Sequence, residues 1–152
     1  MVPIAGTYQP PIAMITVYAK IVGDLFHPGH VNFLKRAREL GDRLVVHVVS
    51  DERVAKVKRK PIMTQQERMA VLGACRFVDE VRSDGPREVS DAFLDDQGFD
   101  LFAYGYSDER ERNTKAYEYR NISSERIRII PYSSEISTTQ LIQRVKTLLS
   151  TE

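Results

Sequence analysis

Short apolar runs alternate along the chain with longer segments whose apolar residues recur at helical spacing. The mostly apolar stretch 12–22 predicts a strand, and the turn behind it is rich in Gly and Pro. Past that turn Val31, Leu34 and Ala37 predict a helix closed by Gly41. Residues 44–50 form a continuous β-branched run, the pattern of a strand covered on both faces. The basic stretch from Arg53 to Lys60 reads as a solvated loop. Thr64 with Glu67 three residues later marks a helix start, and Met69, Leu72 and Cys75 continue the helix. A short strand over 77–81, a helix with Val89, Ala92, Phe93 and Leu94 ending near Gly98, and a buried strand over 99–104 follow. Arg126 to Pro131 predicts a last strand, and Ser137 and Thr138 cap a terminal helix carrying Leu141, Ile142, Val145 and Leu148.

Strands alternating with helices predict an α/β fold, a doubly wound parallel sheet whose ligands gather beyond the carboxyl ends of the strands. A length of 152 residues suits one such domain over 13–150. Pro3, Gly6, Pro10 and Pro11 make residues 1–12 an irregular N-terminal arm. The formal charge of +1 argues against wrapping nucleic acid or lying on an anionic membrane, so any anion site must be local. No run approaches the roughly 20 apolar residues that a spanning helix needs. Cys75, the single cysteine, permits no internal disulfide and reads as a small buried hydrophobe, so a soluble cytoplasmic protein is expected.

The chemistry concentrates at the first turn. His27-Pro28-Gly29-His30 places two of the three histidines at a helix entrance, where unpaired backbone N–H groups and the positive end of the dipole favour phosphate. His47 falls inside a strand run and reads as a core or strand-end histidine. A zinc site would need all three imidazoles to converge, and no supporting pattern accompanies them.

His27-Pro28-Gly29-His30 with Asp24 upstream resembles the HxGH signature of nucleotidyltransferases, and more narrowly of cytidylyltransferases. Further pieces carry the resemblance over roughly residues 14 to 147: the basic stretch with Lys58 about ten residues before Arg68, Arg76-Phe77-Val78-Asp79-Glu80-Val81, and Ile136-Ser137-Thr138. The resemblance implies a single Rossmann-like domain, a homodimer and a reaction that joins CTP to a small phosphate- or phosphonate-bearing acceptor with Mg²⁺. By the same resemblance His27, His30 and Lys58 are catalytic. Val22, Gly23, Asp24, Phe26, Gly29, Gly105, Ile136, Ser137 and Thr138 would bind the nucleotide. Arg76, Asp79 and Tyr106 would hold the acceptor, and Asp24 would place the metal or orient a histidine.

The sequence also departs from the family pattern. Ile21-Val22-Gly23-Asp24 stands where Gly-Thr-Phe-Asp is usual, and Gly105 is followed by Tyr106-Ser107-Asp108 instead of acidic residues directly. Tyr132 and Glu135 replace the arginine and glycine of the closing motif, leaving Arg126 or Arg128 to supply the missing charge. Three rival readings stand beside the cytidylyltransferase. One is an adenylyltransferase using ATP with a sugar phosphate or FMN. Another is a non-catalytic nucleotide-binding module, and the last a nucleic-acid dock on Lys56 to Lys60.

Overall fold

The computed structural model describes residues 13–106, 109–131 and 136–151. The expected arm over residues 1–12 therefore lies outside the described residues, as do Ser107, Asp108, Tyr132 and Glu135. Five parallel strands form one sheet, β1 (Thr16–Ile21), β2 (Arg43–Val48), β3 (Glu80–Arg82), β4 (Leu101–Tyr106) and β5 (Ile127–Pro131). Their spatial order is β3-β2-β1-β4-β5. The order reverses between β1 and β4, which is where doubly wound sheets open a crevice for ligands.

Alternation along the strands sorts the core into two faces. Val17, Ala19 and Ile21 pack with Leu44, Val46 and Val48 beneath α1 (Pro28–Glu39), which contributes Phe33, Leu34 and Ala37. Leu72 of α3 (Gln65–Gly73) joins the same cluster, and Cys75 packs against its edge as a small hydrophobe should. On the opposite face Tyr18, Val45, Phe102 and Tyr104 meet Leu94 of α4 (Asp91–Gln97) and the loop residues Val89 and Phe99. A period-two pattern thus feeds two cores, and the predicted layering holds.

Several boundaries differ from the expectation for identifiable reasons. The basic stretch is not all loop, because Ser50 accepts from the Arg53 N–H and caps α2 (Asp51–Val57). The charged run after Tyr106 forms α5 (Glu109–Lys115), which keeps no side chain buried and so lacked an apolar stripe to announce it. The helix start at Thr64 is as expected, its hydroxyl accepting from the Glu67 N–H. Ser137 caps the terminal helix α6 (Thr138–Ser150), and Gln140 returns the bond to the Ser137 N–H at 3.0 Å. No helix is long and apolar enough to cross a membrane among the described residues.

Candidate active site at the carboxyl end of the sheet

The turn after β1 is strained and tightly packed. Leu25 has φ 49°, a left-handed conformation that branched side chains rarely adopt, and such strain is typical of functional turns. Gly23 has φ 71°, and a Cβ there would lie 2.8 Å from Leu72. A Cβ on Gly29 would lie 2.7 Å from Cε1 of His27 and 3.2 Å from the Ile136 carbonyl oxygen. Glycine at 29 thus lets the α1 entrance, the His27 ring and the chain leading into α6 close on one another.

The two histidines form the helix cap themselves. His27 Nδ1 accepts from the Gly29 N–H at 3.0 Å, and His30 Nδ1 accepts from the His27 N–H at 3.2 Å. With both Nδ1 atoms acting as acceptors, the proton of each neutral ring sits on Nε2. The ring centroids are 3.8 Å apart, and Phe26 stacks on His30 at 5.7 Å. Burial lowers the His27 pKa below its ordinary value. Burial, with the nearby His27 and Lys58, lowers that of His30 to about 3, against a smaller opposing pull from Asp24. Near neutral pH the pair is therefore two uncharged hydrogen-bond donors side by side.

Residues distant in sequence lock onto this turn. Thr138, the first residue of α6, donates its hydroxyl to the Asp24 carbonyl oxygen at 3.0 Å, and its oxygen lies 3.4 Å from His27 Nε2. The α6 entrance, with Ile136 and Ser137, is thereby brought against the histidine turn. Two helix N-termini converge there, an arrangement suited to a polyphosphate. Lys58, the C-cap of α2, stands close enough for its charge to act on His30, and it pairs with Glu111 at 3.1 Å.

Asp24 proves to be an anchor for the basic segment. Its Oδ2 accepts from the Ile62 N–H at 2.9 Å and from Arg59 Nη1 at 3.2 Å, and its Oδ1 accepts from the Met63 N–H at 2.9 Å. Burial alone would raise its pKa, but those donors hold it below the ordinary value. Both oxygens are engaged by the loop, and no group of three metal-ligating side chains occurs among the described residues. Asp24 therefore holds the basic segment against the turn that carries the histidines.

Arg68 was missed as a site residue. Its fully buried guanidinium donates to the carbonyls of Val22 at 2.7 Å and Met63 at 3.1 Å and pairs with Asp51 at 2.6 Å. It thus ties the strand end, the basic segment and α2 together, and so many buried carbonyls require just such a multi-pronged donor. In the sequence the signal was an arginine on the apolar face of the helix that carries Leu72.

Arg76 and Asp79 do not reach this end of the sheet. Both precede β3, whose start lies beside Val45 near the beginning of β2. Asp79 accepts from the Leu44 N–H at 2.8 Å and pairs with Arg38 at 2.9 Å, while Arg76 is exposed over the Phe77 ring. Their motif thus closes a strand junction at the end of the sheet away from the histidine turn. Arg126 is likewise engaged at the opposite end, with Asp95 at 2.8 Å and the Phe99 carbonyl at 2.7 Å, and Arg128 bonds the carbonyls of Glu125 and Ile127. Neither replaces the missing arginine of the closing motif. His47 is buried in β2, with Nδ1 lacking a partner among the described residues, apart from the other two imidazoles.

Beside the histidine turn a cleft of ≈ 310 Å³ opens between the ends of β1, β2 and β4, lined by Ile21, Val22, Val49, Val54, Lys58 and Gly105 among others. Lys58 bridges the two features, lining the cleft while acting on His30. Tyr106 ends β4 and packs against the second core under Arg112, at 5.6 Å. A nucleotide on the two helix entrances and a second anion in the cleft would meet at Lys58.

The profile of the cytidylyltransferase-like family matches residues 24–144. An ethanolamine-phosphate cytidylyltransferase of Dictyostelium discoideum is 37% identical over 131 residues, covering 86% of this chain and 36% of that one. The chain thus spans about a third of the length of that relative. An FAD synthase of Thermococcus sibiricus is 38% identical over 129 residues, covering 82% of this chain and 87% of that one. Among solved structures, a lipopolysaccharide core biosynthesis protein from Thermoplasma volcanium superposes with a TM-score of 0.59 at 26% identity, over 80% of this chain and 98% of that one. With its doubly wound sheet, its histidine-capped helix and this match over most of its length, the chain belongs to the cytidylyltransferase-like family.

Proposed function

We propose that the protein transfers the cytidylyl group of CTP to a small acceptor bearing a phosphate or phosphonate, with release of pyrophosphate. An anionic oxygen of the acceptor attacks the α-phosphorus. The new P–O bond forms as the bond from the α-phosphorus to the bridging oxygen breaks, and pyrophosphate leaves with that electron pair. The acceptor oxygen needs no deprotonation, so the chain's task is in-line placement and stabilisation of developing charge. The observation that carries the reading is the pair of adjacent imidazoles at the helix entrance, each accepting a backbone N–H at Nδ1 so that the proton of the neutral ring is left on Nε2.

In this reading His27 and His30 donate to phosphate oxygens, and Lys58 lowers the repulsion between the two approaching anions. The first N–H groups of α6, behind Ser137 and Thr138, take the terminal phosphates, and Val22, Gly23, Phe26 and Gly29 shape the nucleotide's bed. Mg²⁺ would screen the charge of the triphosphate. Because Asp24 is engaged by the loop, the ion would come with the nucleotide and its waters and not sit in a protein cage. The homodimer implied by the family resemblance belongs to the same reading, with sedimentation velocity as its check.

The FAD synthase likeness favours a second reading, ATP with FMN, because it spans most of both chains at similar identity. A grid of four nucleoside triphosphates against phosphoethanolamine, glycerol 3-phosphate, hydroxyalkyl phosphonates and FMN, scored by pyrophosphate release, decides between them. Turnover dependent on CTP and a small acceptor is expected. ATP with FMN as the productive pair would establish the second reading, and no release from any pair would remove the enzyme.

A further inference from the structure

The cleft beside the histidine turn carries far more positive charge than one phosphate requires. Among the described residues six cationic side chains line it, Lys20, Arg53, Lys56, Lys58, Arg87 and Lys115, against the single lining carboxylate of Glu118. That carboxylate is already committed to Lys20 at 3.2 Å, with both side chains largely buried. Glu111 behind the wall is shared between Lys58 and Lys115. Arg53, Lys56 and Arg87 have no ion pair among the described residues; Arg53 bonds the Gly85 carbonyl and Arg87 the Tyr117 hydroxyl. Tyr104 also lines the cleft, 4% exposed, with a hydroxyl that has no hydrogen-bond partner among the described residues. Burial raises its pKa, so the phenol keeps its proton and remains a donor awaiting an oxygen.

From this arrangement we propose that the cleft selects an acceptor whose far end carries a second anionic group, a carboxylate or another phosphate, and rejects one ending in an ammonium. The inference rests on the cleft being the acceptor site of the transfer described above. Lys58, whose charge acts on His30, is the lysine placed to meet the reacting phosphate. Arg53, Arg87 and Tyr104 then remain for whatever lies beyond it. An ammonium there would enter a field already positive, where the only carboxylate lining the cleft among the described residues is neutralised by Lys20, and long-range repulsion would oppose it. A carboxylate would gain charge-assisted bonds from guanidinium groups and a hydroxyl donor left unmatched without it.

The test uses two-carbon acceptors of one size that differ at the far end: phosphoethanolamine, 2-hydroxyethyl phosphate and 2-phosphoglycolate. Each is measured by pyrophosphate release with CTP and with ATP, and by calorimetric binding to the protein holding a non-hydrolysable triphosphate. The carboxylate is expected to exceed the ammonium by about tenfold or more in kcat/KM and in affinity, a difference of about 1.4 kcal/mol. Arg87→Glu and Lys115→Glu, both near the surface, should each narrow or invert that order. Phosphoethanolamine equalling or outranking phosphoglycolate, or FMN binding best, would overturn the inference while leaving a transferase in place. Absent turnover with the binding order intact would overturn the reaction and leave the selectivity of the cleft standing.

Discussion

His30 does two jobs that different substitutions separate. Its Nδ1 accepts from the His27 N–H at 3.2 Å, which holds the cap, and in the proposed reaction its Nε2–H donates to a phosphate oxygen. Alanine removes both. Loss of one preorganised donor to developing charge costs about 10²–10³ in kcat, roughly 2.7–4 kcal/mol. A buried N–H left without an acceptor costs about 1–3 kcal/mol of stability, which lowers Tm by several degrees in a domain of this size. Asparagine offers a carbonyl near the position of Nδ1 and no group at Nε2, so His30→Asn should lose the turnover and keep most of the stability. Glutamine reaches the Nε2 position with an amide donor, so His30→Gln should recover part of the activity on a weakened cap. Single-turnover pyrophosphate release and thermal melts on the three variants provide the two readouts. If His30→Asn retains near-full turnover, the imidazole is a cap only and the transfer mechanism built on paired donors is wrong.

Asp24→Asn removes the charge that Arg59 and the Ile62 and Met63 N–H groups share, so hydrogen exchange at those two amides should quicken and KM for the nucleotide should rise several-fold; unchanged protection at Ile62 and Met63 would refute the anchoring role. Acid should destabilise the protein through its buried histidines. Burial, with neighbouring cations, lowers His30 from the ordinary 6.5 to about 3 and His47 to about 4. The unfolded chain binds protons below about pH 6.5 that the folded chain refuses, so the stability these groups confer is complete above that value and is lost as pH falls toward 3. At pH 5 the loss is about 2 kcal/mol for each. Urea midpoints measured from pH 7.5 to 5 should drop accordingly, and a flat profile would show that the rings are solvated.

What the sequence disclosed, and what it hid, follows from how local each interaction is. The alternation of Val17, Ala19 and Ile21 with Tyr18, and of Leu44, Val46 and Val48 with Val45, encodes two buried faces within single strands, so the doubly wound sheet was legible. The position of the two histidines at the helix entrance was legible for the same reason, since the bonds that hold them there span three residues at most. The placement of Arg76 and Asp79 was hidden, because a motif shared with a family reports that residues matter without reporting where. Parallel strands put the start of β3 at the far end of the sheet, and the partners of Asp79, Arg38 and Leu44, are spread over two earlier elements. For Asp24 the place was legible and the partners were not, since the two amides bonded to it come from residues 62 and 63, far along the chain.

The cleft was least legible of all. Its cations come from β1, α2, the turn after β3 and α5, segments whose charges nearly cancel against acidic neighbours in the whole chain's formal charge of +1. Only folding sorts them, by spending Glu118 on Lys20 and Glu111 on Lys58 and Lys115 while Arg53, Lys56 and Arg87 remain without carboxylate partners among the described residues. Near-neutral overall charge therefore says little about such a site, because a cleft's potential is set by the few charges that face it. The histidine turn and the cleft wall are also built independently. Those histidines depend on a helix cap within one turn of sequence, whereas the cleft wall depends on side chains from four separate segments that can be exchanged without disturbing it.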